Sequence, residues 1–520
     1  MLPSGYIVEV FKLLAVINSL VINGIQATPV RVEVDIQNGL PGFELVGLPS
    51  QSTREARERV RSAIKNSGFI FPNRKIIINL APADIKKEGS HFDLPIALGI
   101  LIASEQLEYF PPEKMFFCGE LSLNGDLRMI PGVLPMVLEL AHMQSDYILV
   151  VPQANSQEAG LVDEVQSFAA HNLIEICNFI KGEVALKRNP SFFPEKYSTN
   201  KIPDFSDVKG QESAKRALLI AAAGAHNALL IGPPGGGKTM LARRLPGILP
   251  EMKRDEILET TRIYSVAGLL DSKHPLINER PFRSPHKNAS SASIIGGGRI
   301  PRPGEISLAQ NGVLFLDELP EFSRDVLEAL RQPLEDRIVT VARAQATCTY
   351  PANFALIAAM NPCPCGNYGS DQECRCTPLQ IQRYLGRISG PLLDRMDLHI
   401  EVPRVSIEQL QERPSGESSA ALRDKVIKAR EIQQKRFKRN KAKLNSQMKP
   451  ADVRKYCQLD DASQLLLKNA FDRLGLSARA YDRILKVART IADLEGAERI
   501  KIDHLAEALQ YRSLDRKYWQ

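Results

Sequence analysis

The sequence predicts an α/β protein built around a phosphate-binding loop, with a β-rich α/β segment before that loop and a mostly helical segment after it. Three observations carry the prediction. The run Gly232-Pro233-Pro234-Gly235-Gly236-Gly237-Lys238-Thr239 fits G-x-x-x-x-G-K-[ST] at every defined position. It is preceded by a short apolar run at residues 228–231, read as a buried strand, and followed by Met240-Leu-Ala-Arg-Arg, which opens a helix. The run Gly312-Val-Leu-Phe-Leu-Asp317-Glu318 is apolar and ends in two acids. A buried parallel strand delivers carboxylates to its C-terminal edge with this pattern.

A strand, a glycine-rich turn and a helix N-terminus together form an anion cradle. Backbone N–H groups point inward and the helix dipole favours negative charge. Lys238 is placed to reach the β- and γ-phosphates and Thr239 to hold Mg²⁺. Asp317 would be the second Mg²⁺ partner, and Glu318 would polarise the attacking water. The expected chemistry is binding and hydrolysis of a nucleoside triphosphate.

At 520 residues the chain has room for about three domains, each with its own core. A net charge of +7 is compatible with nucleic acid without requiring it. Residues 7–23 are rich in apolar side chains, but Glu9 and Lys12 interrupt them. The run is too broken for a spanning helix and has the wrong flanks for a signal peptide, so a cytoplasmic protein with no membrane partner is expected. Of eight cysteines, four fall between Cys363 and Cys376. In such a compartment that clustering favours a metal site or free thiols over disulfides.

The elements before the loop are read in order. Alternation over residues 30–36 puts Val30, Val32, Val34 and Ile36 on one strand face. The turns Gly39-Leu-Pro-Gly and Gly47-Leu-Pro follow, then a helix over 52–67 and a strand at 75–80. Residues 94–103 read as a buried helix and 147–152 as a late strand of an α/β domain closing near residue 183. A polar, proline-containing linker comes next, ending at Pro203.

Four stretches carry a family resemblance: DFSDVKGQE from Asp204, GPPGGGKTMLARRLPGILP from Gly232, PRPGEISLAQNGVLFLDELPEF from Pro301, and AAMNPCPCG from Ala358. Together they resemble the magnesium-chelatase-like AAA+ ATPases of the YifB/ComM group, from about Ala15 to the C-terminus. The resemblance implies a Lon-protease-like domain over 15–183, a linker at 184–203, an AAA+ P-loop core over 204–405 and a helical lid over 406–520, with residues 1–14 as an extension. It also implies ATP and Mg²⁺ as cofactors and a homo-hexameric ring. Peptidase activity is not expected. Aligned without gaps, the Lon serine position falls on His91 and its lysine position on Leu134, and Ser90 next door has no evident base.

Within the core, residues 213–223 read as a helix. The glycine-rich piece 290–304 cannot be an ordinary helix interior. The resemblance makes it the pore-facing helix-2 insert, and Arg283, His286, Lys287, Arg299 and Arg302 give it a basic character suited to phosphates. Related sequences often carry two histidines where this one has His286-Lys287. Residues 324–336 read as a helix that Pro333 would end early, and 337–350 as a hairpin turning near Arg343. By resemblance this is the pre-sensor hairpin, so Arg299, Arg302 and Arg343 become candidate DNA contacts. Asn361, just after the strand at 354–360, matches sensor 1, where an amide binds the γ-phosphate and orients water. Cys363, Cys365, Cys374 and Cys376 form two C-x-C pairs, a candidate Zn²⁺ site or a set of reduced thiols. Arg395 matches the arginine finger, with Arg387 in reserve, and Arg479 the sensor-2 arginine of the lid. The basic run 435–443 is either a nucleic-acid contact or a solvated face. The resemblance implies a DNA helicase-like motor promoting branch migration in recombination. The alternative is a ring that remodels a protein partner, as the chelatase subunit does.

Overall fold

The computed structural model describes residues 14–519, apart from 109–110, 144–145, 192, 194–201, 299–300, 344–345, 407, 409–410, 412–415, 439–442 and 475–476. The chain divides into two compact units. One is Met1–Tyr197 together with Thr261–Ile277, and the other is Ser198–Thr260 together with Asn278–Gln520.

In the first unit, period-2 alternation makes the sheet. The strand Gln26–Gln37 buries Val30, Val32 and Val34, and pairs antiparallel with Ala15–Asn23 on one side and Lys75–Ala81 on the other. Eight strands follow in the spatial order Lys187–Arg188, Gln166–Ala170, Ile148–Pro152, Met115–Phe117, Ala15–Asn23, Gln26–Gln37, Lys75–Ala81, Gly42–Val46. The helix Asp93–Ala103 is buried from Asp93 to Ile102, so it runs through the core rather than along a surface. The helix expected over 52–67 is two helices, Gln51–Arg54 and Ala56–Asn66, separated at Glu55.

Two boundaries differ from the sequence reading. The sheet does not close near residue 183, because Lys187 and Arg188 pair with Ala169 and Phe168. A two-residue charged edge strand carries no apolar alternation by which to be read. Residues 261–277, read as part of the core, belong instead to the first unit. There Ser265 Oγ donates to Glu158 Oε1 at 2.5 Å, and the Gly132 N–H donates to the Ser265 carbonyl at 3.2 Å.

The second unit holds a five-stranded sheet in the order Phe282–Arg283, Val313–Leu316, Ala355–Met360, Ala228–Ile231, Leu398–Glu401, with every pairing parallel. Val313–Leu316 and Ala228–Ile231 are buried throughout, as near-continuous apolar runs in a parallel sheet must be. The C-terminal helices Ser419–Arg436, Asp461–Leu474, Ala478–Leu494 and Ile502–Gln510 share one core with this sheet; Leu230, Phe315 and Ile357 belong to the same cluster as Val426, Ile484 and Ile491.

Residues 324–336 form two helices, Arg324–Ala329 and Arg331–Asp336, joined at Leu330. Pro333 does not end the second helix, as the sequence suggested. It sits in the first turn, where no intrahelical N–H is required, and its carbonyl accepts from Arg337 N at 3.0 Å. The hairpin is present as Ile338–Arg343 and Ala346–Pro351, with Arg343 opposite Ala346. The glycine-rich piece contains a five-residue helix, Ser291–Ile295, capped by Ser290, and an antiparallel pair formed by Gly296–Gly297 and Arg302–Pro303.

Candidate nucleotide site

Three of the parallel strands deliver the site. Gly232, Asp317 and Asn361 each follow the last residue of a strand, and those strands are neighbours in the sheet. A crevice at the carboxyl ends of such strands is where an α/β sheet binds ligands. Gly237 has φ +85°, a left-handed conformation that turns the chain into the helix Lys238–Ile248 and leaves its first N–H groups facing the loop.

The predicted residues converge. Lys238 Nζ donates to the carbonyls of Gly232 (2.7 Å) and Pro233 (2.9 Å) and to Asn361 Oδ1 (3.1 Å). Burial lowers the Lys238 ammonium from its ordinary 10.5 to about 8, and the charge of Asp317 opposes that fall. Thr239 Oγ1 donates to Asp317 Oδ2 at 2.7 Å, so the two expected Mg²⁺ partners already meet. Their hydroxyl and carboxylate oxygens are the hard donors that this ion prefers. Glu318 is exposed, has φ +53°, and accepts from Lys287 Nζ at 2.5 Å. That bond raises the Lys287 ammonium above its ordinary range.

Two supports of the loop were not legible in the sequence. Gln211, at φ +60°, donates to the carbonyls of Gly236 (3.3 Å) and Pro403 (2.6 Å), tying the loop to the strand-exit segment. The only signal for it in the sequence is that Gly210-Gln211-Glu212 closes the family stretch that begins at Asp204. The second support is the cysteine loop. A Cβ on Gly366 would lie 2.4 Å from Pro234 Cδ, so this loop closes against the phosphate loop.

The four cysteine sulfurs all lie within 4.8 Å of one another. Separations of 3.3 Å (Cys363–Cys365), 3.7 Å (Cys363–Cys374) and 3.6 Å (Cys365–Cys374) fall just short of the roughly 3.8 Å expected of sulfurs about 2.3 Å from one tetrahedral zinc. Backbone N–H groups of Cys365 and Tyr368 point at the sulfurs of Cys376 (3.4 Å) and Cys363 (3.3 Å). The donor set therefore fits a thiolate-bound metal.

The arginine candidates make their contacts outside this cradle. Arg395 is 4% exposed, donates from Nη1 to the Pro391 carbonyl at 2.5 Å, and pairs through Nη2 with Glu335. Among the described residues its Nε has no partner. Burial is the main influence holding Arg395 below its ordinary range; Glu335 opposes it, and the positive charges of Arg331, Arg479 and Arg483 add to it. Arg479 stands in the first turn of Ala478–Leu494. Arg387, the reserve candidate, pairs with Glu321 at 3.0 Å.

The basic character expected around the insert is partly neutralised. Arg283 makes a bidentate bond to Glu305 (2.6 and 2.8 Å), and Lys287 is held by Glu318. Arg302 is exposed, and Arg299 lies outside the described residues. The insert and the hairpin pack together: Tyr350 Oη donates to the Pro301 carbonyl at 2.7 Å, and Gly296 sits against Val341 Cγ2. Among the described residues no helix is long and apolar enough to cross a membrane.

Comparison with known proteins bears on this arrangement. Residues 204–410 match the magnesium chelatase subunit ChlI family, residues 32–155 a second ChlI family and residues 416–512 its C-terminal family. The competence protein ComM of Haemophilus influenzae is 49% identical over 509 residues, covering 97% of this chain and 98% of that protein. The chain belongs to the ComM/YifB family. YifB of Salmonella typhimurium is 48% identical, again over 97% of this chain and 98% of its own length. A more distant relative, the magnesium-chelatase 67 kDa subunit of Heliobacterium mobile, is 27% identical over 39% of this chain and 31% of that protein. As a member of the ComM/YifB family the chain is a magnesium-chelatase-like AAA+ ATPase, and the family implies use of ATP and Mg²⁺.

Proposed function

We propose that this chain assembles as a homo-hexameric ring that couples ATP hydrolysis to translocation along DNA, promoting branch migration in recombination or natural transformation. The observation that carries the reading is the packing of the insert against the hairpin, through Tyr350–Pro301 and Gly296–Val341, in the same unit as a complete P-loop constellation. Exposed Arg302, together with Arg299 and Arg343, would meet phosphates, which gives sequence-independent, salt-sensitive binding. The likeness to a competence protein favours DNA over other polymers.

In this reading Lys238 leaves the Gly232 and Pro233 carbonyls for the β- and γ-phosphates, and at neutral pH it arrives charged. Mg²⁺, held by Thr239 and Asp317, would neutralise phosphate charge. Asn361, released by Lys238, orients the lytic water, and Glu318 polarises it. Arg395 acts on the nucleotide of a neighbour as the arginine finger, and Arg479 acts on the phosphates as the sensor-2 arginine of the lid. The four cysteines would hold a structural zinc beside the phosphate loop.

Residues 15–183 are read as Lon-protease-like in fold and without peptidase chemistry. Ser90 bonds the Glu120 carboxylate, Lys87 Nζ bonds the Pro82 carbonyl, and His91 is buried with Nε2 on Leu20 O at 2.8 Å. A second reading, remodelling of a protein partner, is favoured by the match to the chelatase subunit over residues 204–410. ATP turnover with and without single-stranded and branched DNA separates the two. Stimulation that is lost in Arg302→Ala/Arg343→Ala supports the DNA motor, and no DNA binding at low salt supports the remodeller.

A further inference from the structure

The reading above requires Arg395 to reach a neighbouring protomer's nucleotide, yet its guanidinium is folded inward. At 4% exposure, with one bond to a carbonyl, one ion pair and an unpartnered Nε, Arg395 is buried but not fully satisfied. A buried donor without a partner is costly, so this arrangement persists only because something holds it. The residue that holds it is Glu335, half exposed and the only carboxylate bonded to Arg395 among the described residues. The positive charges of Arg331, Arg479 and Arg483 also bear on this guanidinium, although Arg331 is paired with Glu328 (2.6 Å), so Glu335 supplies the countercharge that favours the inward position. Asp397 does not substitute for Glu335, because it is already taken by Arg483 (2.5 Å) and His226 (3.1 Å).

Glu335 also occupies a telling place in the chain. It is the penultimate residue of the helix Arg331–Asp336, and one residue, Arg337 at φ +57°, joins that helix to the hairpin Ile338–Arg343. Arg337 is pinned at this junction by Nη1 to Asn353 Oδ1 (2.6 Å), and its carbonyl accepts from Ala352 N (2.8 Å) across the hairpin base. Glu335 thus lies three residues before the first residue of the hairpin, in a junction whose backbone is bonded to the hairpin base.

We infer that Glu335 is a latch: it holds Arg395 inside its own protomer at rest, and a DNA strand drawing on the hairpin releases the guanidinium toward the neighbour's ATP. The latch rests on the finger and DNA readings and adds to them a route by which DNA in the pore starts hydrolysis at the adjoining site. Glu335 is a positioning residue that touches neither nucleotide nor DNA. Each hydrolysis event would then depend on the DNA contact of one protomer and the phosphate loop of the next.

The test uses the full chain and two readouts. The first does not involve turnover: p-hydroxyphenylglyoxal labelling at Arg395, followed by peptide mass mapping without DNA. Labelling should be slow in the parent, about fivefold faster in Glu335→Gln, and close to the parent in Glu335→Asp, which keeps the charge. Equal labelling in parent and Glu335→Gln would overturn the latch whatever the protein hydrolyses. If Glu335→Gln fails to fold by thermal melting, Glu335→Asp with and without single-stranded DNA decides, since DNA should speed labelling there as in the parent. The second readout is ATP turnover. DNA-free turnover should rise severalfold in Glu335→Gln toward the DNA-stimulated rate, and the gain should vanish in Glu335→Gln/Arg395→Ala. A DNA-free rate that is unchanged or lower overturns the latch. A parent that hydrolyses no ATP overturns the motor reading instead, and the labelling result still decides the latch.

Discussion

Lys238 offers a measurement in which the magnitude comes from the structure. Its ammonium falls from 10.5 to about 8, chiefly by burial among the loop carbonyls. At roughly 1.4 kcal/mol per pH unit, the folded state carries about 3 kcal/mol of cost for keeping this group charged at neutral pH. The sign is that of a depressed lysine. Between pH 8 and 10.5 the unfolded chain binds the extra proton, so stability rises with pH through that window and the cost is fully present below pH 8. Lys238→Met removes the titrating group and with it this component. Parent and variant should therefore be compared by urea unfolding at pH 7 and pH 9.5, followed by fluorescence of Trp519, the sole tryptophan of the chain and part of the second unit. The parent should gain about 2 kcal/mol relative to Lys238→Met between the two values. Saturating ATP with Mg²⁺ should abolish the gain, because phosphate charge keeps the ammonium protonated. A stability difference that stays flat with pH would refute the placement of Lys238 as a buried cation among the loop carbonyls.

Glu318→Gln should retain ATP affinity while turnover falls by roughly two to three orders of magnitude, read by equilibrium binding beside steady-state hydrolysis; unchanged turnover would remove Glu318 from the catalytic role. Arg395→Ala should bind nucleotide without turnover, and mixing it with Glu318→Gln protomers should restore part of the activity, since a mixed ring contains interfaces with both groups intact. No rescue under demonstrated subunit exchange would make Arg395 a local ion-pair partner only. Protein purified without chelator should hold about one zinc per chain by elemental analysis. Because Gly366 lies against Pro234, stripping that metal should also weaken ATP binding, whereas metal-free protein with full affinity would separate the cysteine loop from the site.

What was legible in the sequence is what local pattern encodes. The apolar runs ending at Ile231, Leu316 and Met360 announced buried strands, and the next residues, Gly232, Asp317 and Asn361, fell on one sheet edge. Four cysteines in two C-x-C pairs announced a cluster, and their sulfurs meet. What was not legible depends on partners distant in the chain. Nothing near Arg395 points to Glu335, sixty residues earlier, and nothing near Glu318 points to Lys287. The basic residues of the insert looked free for phosphate because Glu305 and Glu318 cannot be seen as their partners from the sequence. Proline likewise misled at residue 333, where its place in a first turn, rather than its identity, decides whether a helix ends.

In the proposed function, hydrolysis at this loop drives movement on DNA. It is tested most directly by ATP-dependent migration of a synthetic four-way DNA junction, with the parent and Glu318→Gln assayed side by side. The account predicts that the parent migrates the branch with ATP, while Glu318→Gln binds the junction and leaves it in place. A parent that hydrolyses ATP and binds the junction yet never moves it would contradict the account.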